Sequence, residues 1–297
     1  MIRLLKFFYI FLHCCFVIGQ NQLPQPGECG TANAAYINNG KNVTELDEFP
    51  WMGRIAYITN ETVQQPIYRC GTILINQRYL LTNANCFRFT AQPEAVILGD
   101  WNAANNINEV DCDDNERCAP LPKYYDIEEI TIHHNYNRKS FANNIALIRL
   151  NESVTYTDYI RPICLPSNLT VPQQLFAPDH LQLSGWLKVD FEDVEYMKKS
   201  KMFVKVITLE ECTNLYRFPH NRTLRNTSNI CAFTCAGKSK YLGSSALMGL
   251  AKLNEEPAHY YLAGMVAFGR PECSYTYPDI FTSVEQHLDW IKANLFE

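Results

Sequence analysis

The chain lacks any apolar run after residue 19 that could span a bilayer, which takes about twenty residues. It also lacks a block of basic residues, an internal repeat and a low-complexity tract. Its 297 residues carry a formal net charge of −5. A mildly acidic chain without a basic block is poorly suited to bind nucleic acids or anionic membrane surfaces. The sequence therefore predicts neither a nucleic acid nor a membrane as partner.

The first nineteen residues have the pattern of a secretory signal peptide. Arg3 and Lys6 precede an apolar run over residues 7–18, and Gly19 follows that run. A basic start, about a dozen apolar residues and a small residue before the cut are the features of such a signal. A membrane anchor, the alternative, needs a longer apolar run. We expect residues 1–19 to be removed and the protein to be secreted and extracellular.

Cysteine pairs of the Cys-x-x-Cys type, which metal clusters use, are also missing. Twelve cysteines are present, and removal of the signal takes away Cys14 and Cys15 and leaves an even number. An even number in a secreted chain indicates a disulfide framework. The spacing suggests five pairs, namely Cys29–Cys164, Cys70–Cys86, Cys112–Cys118, Cys212–Cys231 and Cys235–Cys273.

Six Asn-x-Ser/Thr sequons predict N-glycosylation at a secreted surface, at Asn42, Asn60, Asn151, Asn168, Asn221 and Asn226. Several acidic residues between 109 and 116 could supply oxygen ligands to calcium. No EF-hand spacing exists there, and a solvated charge run is the more common explanation of such a cluster. We therefore expect no metal and no cofactor. The histidines, such as His133 and His287, are expected to be solvated or hydrogen-bonded locally.

Short apolar and β-branched runs separated by Gly, Pro, Asn and Asp recur along the chain, for example at residues 71–75, 95–99 and 260–266. Many short strands with turn signals between them indicate an all-β barrel or sandwich. The end of the chain differs. Val284, Leu288, Ile291 and Leu295 recur at helical spacing, so the sequence predicts a C-terminal amphipathic helix.

Several segments resemble those of trypsin- and chymotrypsin-like serine proteases, in the same order and at similar spacing. They are Glu-Phe-Pro-Trp-Met at 48–52, Arg-Pro-Ile-Cys-Leu-Pro at 161–166, Ser-Gly-Trp at 184–186 and Asp-Trp-Ile at 289–291. Leu-Gly-Asp-Trp-Asn at 98–102, with the Cys112–Cys118 loop, resembles the arthropod easter-like or clip branch. A clip module needs six cysteines ahead of the protease domain, and only Cys29 lies there.

The resemblance implies a fold and a domain organisation. The fold is all-β, with two packed antiparallel six-stranded Greek-key barrels and a C-terminal α-helix. Residues 20–36 would form a short N-terminal segment tethered by Cys29, and residues 37–297 a trypsin-like domain.

Three segments resemble the family's active-site segments, and in each the reacting residue is replaced. Residues 81–86, Leu-Thr-Asn-Ala-Asn-Cys, resemble Leu-Thr-Ala-Ala-His-Cys and carry Asn85 in place of the general base. Residues 144–150 resemble Asp-Ile-Ala-Leu-Ile-Arg-Leu and carry Asn144 in place of the aspartate. Residues 241–248 lie where Gly-Asp-Ser-Gly-Gly-Pro-Leu-Met is expected, which places Gly243 at the nucleophile. In the family the histidine accepts the serine proton and the aspartate orients the histidine. We therefore expect no enzymatic activity.

Other functional positions of the family are replaced as well. Tyr241 lies where a glycine offers its N–H to the oxyanion, Gly237 where trypsin-like specificity has its pocket-floor aspartate, and Asp279 where a glycine forms the pocket wall. Tyr36 and Ile37 lie where the family is cut after Arg or Lys during activation. Leu242 occupies the position of the aspartate that pairs with the new amine. The sequence thus predicts a stable uncleaved chain.

A second alignment keeps a serine at the nucleophile position. Residues 235–239, Cys-Ala-Gly-Lys-Ser, resemble Cys-x-Gly-Asp-Ser and would place Ser239 there. This alignment leaves only three residues between Cys231 and Cys235 and requires an insertion before the next strand. Ser239 would still have neither a histidine nor an aspartate as partner.

Together these features favour a secreted, inactive serine protease homologue that binds proteins. Its expected partners are extracellular proteases, their zymogens or their inhibitors, in a cascade such as innate immunity or melanisation. Two other functions stay open: a serine-type endopeptidase with an atypical active site at Ser239, and an extracellular structural or adhesive protein.

Overall fold

Six antiparallel strands of the first half close into a barrel, in the order β1-β2-β3-β6-β5-β4 with β4 pairing β1. The structure is a computed structural model that describes residues 23–58, 67–88, 91–166, 173–175, 179–188, 197–220, 228–234, 240–241, 243–252, 257–268 and 276–296. The strands are β1 (Met52–Ile58), β2 (Ile67–Leu74), β3 (Tyr79–Thr82), β4 (Gln92–Leu98), β5 (Lys123–Ile132) and β6 (Ala146–Leu150).

The second half forms another barrel from six antiparallel strands. Their order is β14-β15-β11-β10-β8-β13, and β13 pairs β14 to close the barrel. The two-residue β7 extends β13, and β9 pairs β12 beside the barrel. The bounds are β7 (Gln173–Gln174), β8 (His180–Gly185), β9 (Leu187–Lys188), β10 (Ser200–Ile207), β11 (Asn229–Phe233), β12 (Lys240–Tyr241), β13 (Ala246–Lys252), β14 (His259–Phe268) and β15 (Asp279–Ser283). The predicted pair of six-stranded barrels is confirmed.

Helices are few among the described residues. The C-terminal helix α2 (Leu288–Ala293) follows a short 3₁₀ turn and buries Leu288 and Ile291, two members of the predicted apolar stripe. Helix α1 (Leu209–His220) was not predicted. Its start carries a capping box, because the Glu211 N–H bonds Thr208 Oγ1 at 3.2 Å and the Thr208 N–H bonds Glu211 Oε2 at 2.9 Å. That Thr-x-x-Glu pattern was the available signal.

The largest cluster of buried side chains continues from one barrel into the other. The indole N–H of Trp51, just before β1, points to Met248 Sδ of β13 at 3.2 Å, and the Phe49 and Tyr260 rings meet edge to face at 5.3 Å. Burial of this continuous apolar surface stabilises the packing of the two barrels. None of the described helices is long and apolar enough to cross a membrane.

Four of the five suggested disulfides are present: Cys29–Cys164, Cys70–Cys86, Cys112–Cys118 and Cys212–Cys231. The fifth, Cys235–Cys273, lies outside the described residues, as do the signal peptide and the sequons at Asn60, Asn168, Asn221 and Asn226. Asn42 and Asn151 are exposed, as glycosylation requires.

Candidate functional site

Asn85 and Asn144 meet at one end of the first barrel. Asn85 lies in the 3₁₀ turn Ala84–Phe87 that follows β3, and Asn144 lies just before β6. Because β3 pairs β6 with Thr82 opposite Ala146, the two asparagines come together. The Asn85 backbone N–H donates to Asn144 Oδ1 at 2.9 Å. The sequence therefore predicted two positions that do lie in one site.

Gly243 lies beside this pair, in the seam between the barrels. Its carbonyl accepts the Gly71 N–H at 2.8 Å. A Cβ at Gly243 would lie 3.6 Å from Cys70 Sγ, which is ordinary contact. Cys70 is bonded to Cys86, the residue after Asn85. The disulfide thus lies against both the Asn85 segment and Gly243, and a Cβ at 243 would meet no steric obstacle.

The hydrogen bonds that hold this site together come from amide, hydroxyl and backbone groups, which do not titrate near neutral pH. Thr282 Oγ1 donates to the Asn144 carbonyl at 3.0 Å, which ties the first barrel to β15. Among the described residues, Asn85 Oδ1 and Asn144 Nδ2 are buried without a hydrogen-bond partner. Amide groups neither accept a proton near neutral pH nor carry charge. This centre has the shape of a proton-relay site but contains no proton acceptor among its described residues.

Ser244, next to Gly243, has its hydroxyl enclosed. Its side chain is fully buried, and its φ of 67° lies in the left-handed region. Ser244 Oγ accepts the Asn83 N–H at 2.9 Å and lies 3.0 Å from Thr82 Oγ1. A hydroxyl used in this way fixes the loop and is shielded from a substrate. Ser239 and Leu242 lie outside the described residues.

Tyr241 and Asp279, predicted at the oxyanion and pocket-wall positions, are both buried. Tyr241 is 8% exposed and belongs to an apolar cluster with Val266 and Phe281, and burial raises its pKa. Asp279 is buried and accepts a hydrogen bond from the Thr234 hydroxyl. Gly237 lies outside the described residues. A tyrosine packed in this cluster is a fixed part of the second barrel.

The N-terminal segment is fastened to the body by a buried lysine. Lys201 Nζ pairs with Glu48 Oε1 at 2.6 Å and donates to the Tyr36 carbonyl at 2.8 Å. Both charged side chains are 4% exposed. The Lys201 N–H also donates to the Asn42 carbonyl at 2.7 Å. Ile37 packs against the main core. The positions of the replaced activation site are therefore part of the folded structure.

The acidic loop uses its carboxylates internally. Asp111 Oδ2 accepts the Trp101 and Asn102 N–H groups at 2.8 and 2.7 Å, and Asp113 pairs with Arg117. In the part of the chain that the structure describes, no three His, Cys, Asp or Glu side chains gather as metal ligands.

Sequence reasoning missed a buried ion pair within the first half of the chain. Arg54 in β1 pairs with Asp100, and the two side chains are only 2% and 4% exposed. The Arg54 guanidinium lies 4.1 Å from the Tyr68 ring centre and 5.5 Å from that of Trp186. Cation–π contacts of this kind favour arginine. Nothing in the apolar pattern of β1 indicated that its arginine points inward.

Three histidines and a tryptophan gather behind Asn144. The His133 ring stacks on His134 at 4.7 Å, meets His287 edge-on at 5.6 Å and lies 5.0 Å from Trp290. Nδ1 of His287 donates to the Ser283 carbonyl at 2.6 Å. Local hydrogen bonding was predicted and is observed, but the cluster was not foreseen. Burial, with the nearby His287 and His134, lowers the pKa of His133 to about 4, and burial also lowers that of His287.

The cluster predicts a loss of stability in acid. Because the folded-state pKa of His133 lies below the unfolded value of about 6.5, the unfolded chain binds more protons between pH 6.5 and pH 4. We expect the free energy of unfolding to fall by about 1–2 kcal/mol from pH 7 to pH 5 because of this residue. Urea unfolding of the wild type and of His133→Asn at several pH values measures it. The more exposed His180→Gln serves as control, and equal slopes for wild type and His133→Asn would contradict the prediction.

Comparison with known proteins places this geometry in a family. The sequence profile of the trypsin family matches residues 37–291. Serine protease ea of Drosophila melanogaster is 33% identical over 94% of this chain and 72% of that protein. Phenoloxidase-activating factor 3 of Holotrichia diomphalia is 32% identical over 92% of this chain and 76% of that protein. The crystal structure of the Drosophila Grass clip serine protease of the Toll pathway superposes with a TM-score of 0.69 at 24% identity, over 89% of this chain and 73% of that chain. The chain belongs to the trypsin family, and its relatives include clip-domain serine proteases of insects.

Proposed function

We propose that the protein is a secreted, catalytically inactive member of the trypsin family that binds proteins of an extracellular protease cascade. The observation that carries the proposal is the bond from the Asn85 N–H to Asn144 Oδ1 beside Gly243. The arrangement of the family site is kept while each reacting group is replaced. Loss of the nucleophile or base alone costs about a millionfold in subtilisin, or roughly 8 kcal/mol of barrier.

The proposed partners are proteases, zymogens or inhibitors of such a cascade. Support comes from the relatives, among them one named Melanization protease 1 and one named Spaetzle-processing enzyme. Innate immunity or melanisation is therefore the process that we propose. Loops braced by four disulfides on two packed barrels would offer a preformed surface to such partners.

The purified secreted protein is expected to turn over neither ester nor amide substrates and to resist a fluorophosphonate label. With no proton acceptor at Asn85 and no hydroxyl at Gly243, its rate should lie about a millionfold below that of an active family member. Mass spectrometry measures the extent of labelling. Turnover is measured beside an active family protease whose active-site concentration is known by titration. Stoichiometric labelling of Ser239, Ser244 or Ser245, with turnover that the label abolishes, would overturn the proposal.

Single reversions serve as matched controls. Asn85→His would place an imidazole beside Asn144, whose Oδ1 is already bound by the backbone, so its amide N–H would face the ring. A donor there holds the tautomer that cannot accept the serine proton, an effect of about ten-thousandfold where it has been measured. Gly243→Ser alone would supply a hydroxyl without a base. Neither variant is expected to gain activity.

Partner binding is tested by affinity capture of the glycosylated protein from its native extracellular fluid. Recovery of a clip-domain protease, its zymogen or its inhibitor supports the cascade role. Recovery of matrix or cell-surface proteins alone, with no change in zymogen activation when the protein is added, would favour a structural or adhesive role instead.

A further inference from the structure

The chain contains a single asparagine followed by glycine, Asn39-Gly40, in the N-terminal segment. This dipeptide is prone to intramolecular deamidation, in which the next backbone nitrogen attacks the side-chain amide. Both residues lie outside helices and strands, and Gly40 is exposed. A Cβ built at Gly40 would have no heavy atom within 4 Å. The backbone at this point is therefore open to water and has room to rearrange.

The side chain of Asn39 makes a contact that polarises its amide. Its Oδ1 accepts the Lys41 backbone N–H at 3.2 Å. A donor at this place withdraws electrons from the carbonyl carbon and stabilises the oxyanion that forms when a nucleophile adds to it. The intervening Gly40 N–H donates no hydrogen bond within the part of the chain that the structure describes. A polarised amide thus lies next to a backbone nitrogen that is not engaged elsewhere.

Gly40 supplies the conformational freedom that ring closure needs. Attack of its nitrogen on Asn39 Cγ forms a succinimide ring, and the backbone around that nitrogen has to rotate as the ring closes. The φ of Gly40 is 72°, in the left-handed region that glycine adopts readily. A residue with a Cβ would restrict this rotation by steric clash. The glycine therefore favours the cyclisation.

Asn33 offers a matched comparison in the same segment. Its Oδ1 accepts the Ala35 N–H at 3.0 Å, which is the same kind of contact as at Asn39. Asn33 and the following Ala34 are both exposed, whereas Asn39 is half-buried. Exposure would favour reaction at Asn33, and the glycine would favour reaction at Asn39. A faster reaction at Asn39 therefore points to the glycine.

We propose that Asn39 is a self-modification site, at which the chain converts its own asparagine to aspartate and isoaspartate. The Gly40 nitrogen gives its proton to hydroxide and attacks Asn39 Cγ, while the Lys41 N–H donates to the oxyanion at Oδ1. The bond from Cγ to Nδ2 breaks, and the amide nitrogen takes a proton from water and leaves as ammonia. A water molecule then opens the succinimide at either carbonyl. Asparagine and water thus give aspartate or isoaspartate and ammonia.

The reaction would add a negative charge to a surface that already carries paired charges. Asn39 lines the same surface cavity as Lys41, Glu45 and Arg117. Lys41 and Arg117 both pair with Glu45, at 2.5 and 2.8 Å, and Arg117 also pairs with Asp113. Deamidation would therefore change the charge of this part of the N-terminal segment. The inference goes beyond the proposed function, because it needs neither a partner nor a catalytic group of the family.

Incubation of the folded, secreted protein at pH 7 and at pH 9, followed by trypsin digestion and mass spectrometry, tests the inference. No lysine or arginine occurs between residues 20 and 40, so one peptide ending at Lys41 contains both asparagines. Asn39 is expected to deamidate at least about tenfold faster than Asn33, because Gly40 has no Cβ. The rate should rise with pH, since the attacking nitrogen must lose its proton. Digestion in oxygen-18 water marks any deamidation that occurs during the digestion itself.

Isoaspartate identifies the route, because opening of a succinimide produces it and direct hydrolysis of the amide does not. Its content is measured by methylation with isoaspartyl methyltransferase. Asn39→Gln, which disfavours the ring, and Gly40→Ala, which adds a Cβ, should each lower the isoaspartate content at least about tenfold. The unfolding midpoint of each variant checks its fold. No deamidation of Asn39, equal rates at Asn33 and Asn39, aspartate without isoaspartate, or an unchanged isoaspartate content in Asn39→Gln would each overturn the inference.

Discussion

Replacing Cys29 and Cys164 together with alanine is expected to lower the free energy of unfolding by about 5 kcal/mol. The disulfide joins residues 135 apart in sequence, so its loss frees a long loop in the unfolded chain. In the chain-entropy description the stabilisation grows with the logarithm of loop length. Urea unfolding of the full secreted chain, followed by tryptophan fluorescence, measures the change.

The Cys112–Cys118 pair supplies the control because it joins residues only 6 apart. Its replacement by alanine is expected to cost about 2 kcal/mol by the same relation. Equal losses for the two pairs, or a larger loss for the short one, would contradict the entropic reasoning. The native hydrogen bonds of the segment, such as the Tyr260 N–H to the Gly30 carbonyl at 2.7 Å, do not depend on the disulfide itself.

The Cys29–Cys164 disulfide and Lys201 both fix the N-terminal segment, which bears on whether the protein needs to be cleaved. In the active members that the sequence resembles, cleavage frees an amine that moves into the body. Here the corresponding segment is already fixed by the Lys201 bond to the Tyr36 carbonyl, and Lys201 is neutralised by Glu48. We expect the uncleaved form to be the working form, because Leu242 occupies the position of the aspartate that would pair with the new amine.

Sequence patterns predicted most of the fold and the location of the centre because both rest on local signals. The short β-branched runs, the terminal apolar stripe and the two motifs carrying Asn85 and Asn144 are contiguous in sequence. Pairing of β3 with β6 then brings the motifs together. Four of the five disulfides suggested by the cysteine spacing are present among the described residues.

The features that the sequence did not predict depend on where a side chain points in the folded chain, and residue type alone does not determine that. Arg54 in an apolar strand could have faced solvent, and only the folded barrel turns it towards Asp100. His133 and His287 are 154 residues apart, so their contact at 5.6 Å needs the second half of the chain to return to the first barrel. No single stretch of sequence contains these sites.

Asp100→Ala is expected to lower the free energy of unfolding by about 3–5 kcal/mol, because it leaves the buried Arg54 guanidinium without its counter-ion. Burial raises the pKa of Asp100 while Arg54 opposes that change, so the carboxylate depends on the arginine as well. Urea unfolding at pH 7 measures the loss. Asp158→Ala, which breaks the exposed pair with Arg161, should cost less than about 1 kcal/mol.

Removing both buried charges tests whether Asp100→Ala loses stability because Arg54 is left without its counter-ion or because the packing is damaged. In the variant Arg54→Met with Asp100→Leu both members of the pair are removed, and we expect most of the lost stability to return, since apolar residues of similar volume replace buried ion pairs at little cost. Arg54 also stacks on Tyr68 and Trp186. The double variant therefore also tests whether an apolar side chain can replace the guanidinium against those two rings. A double variant as unstable as Asp100→Ala would contradict this expectation and show that loss of the ring contacts of Arg54 lowers the stability as well.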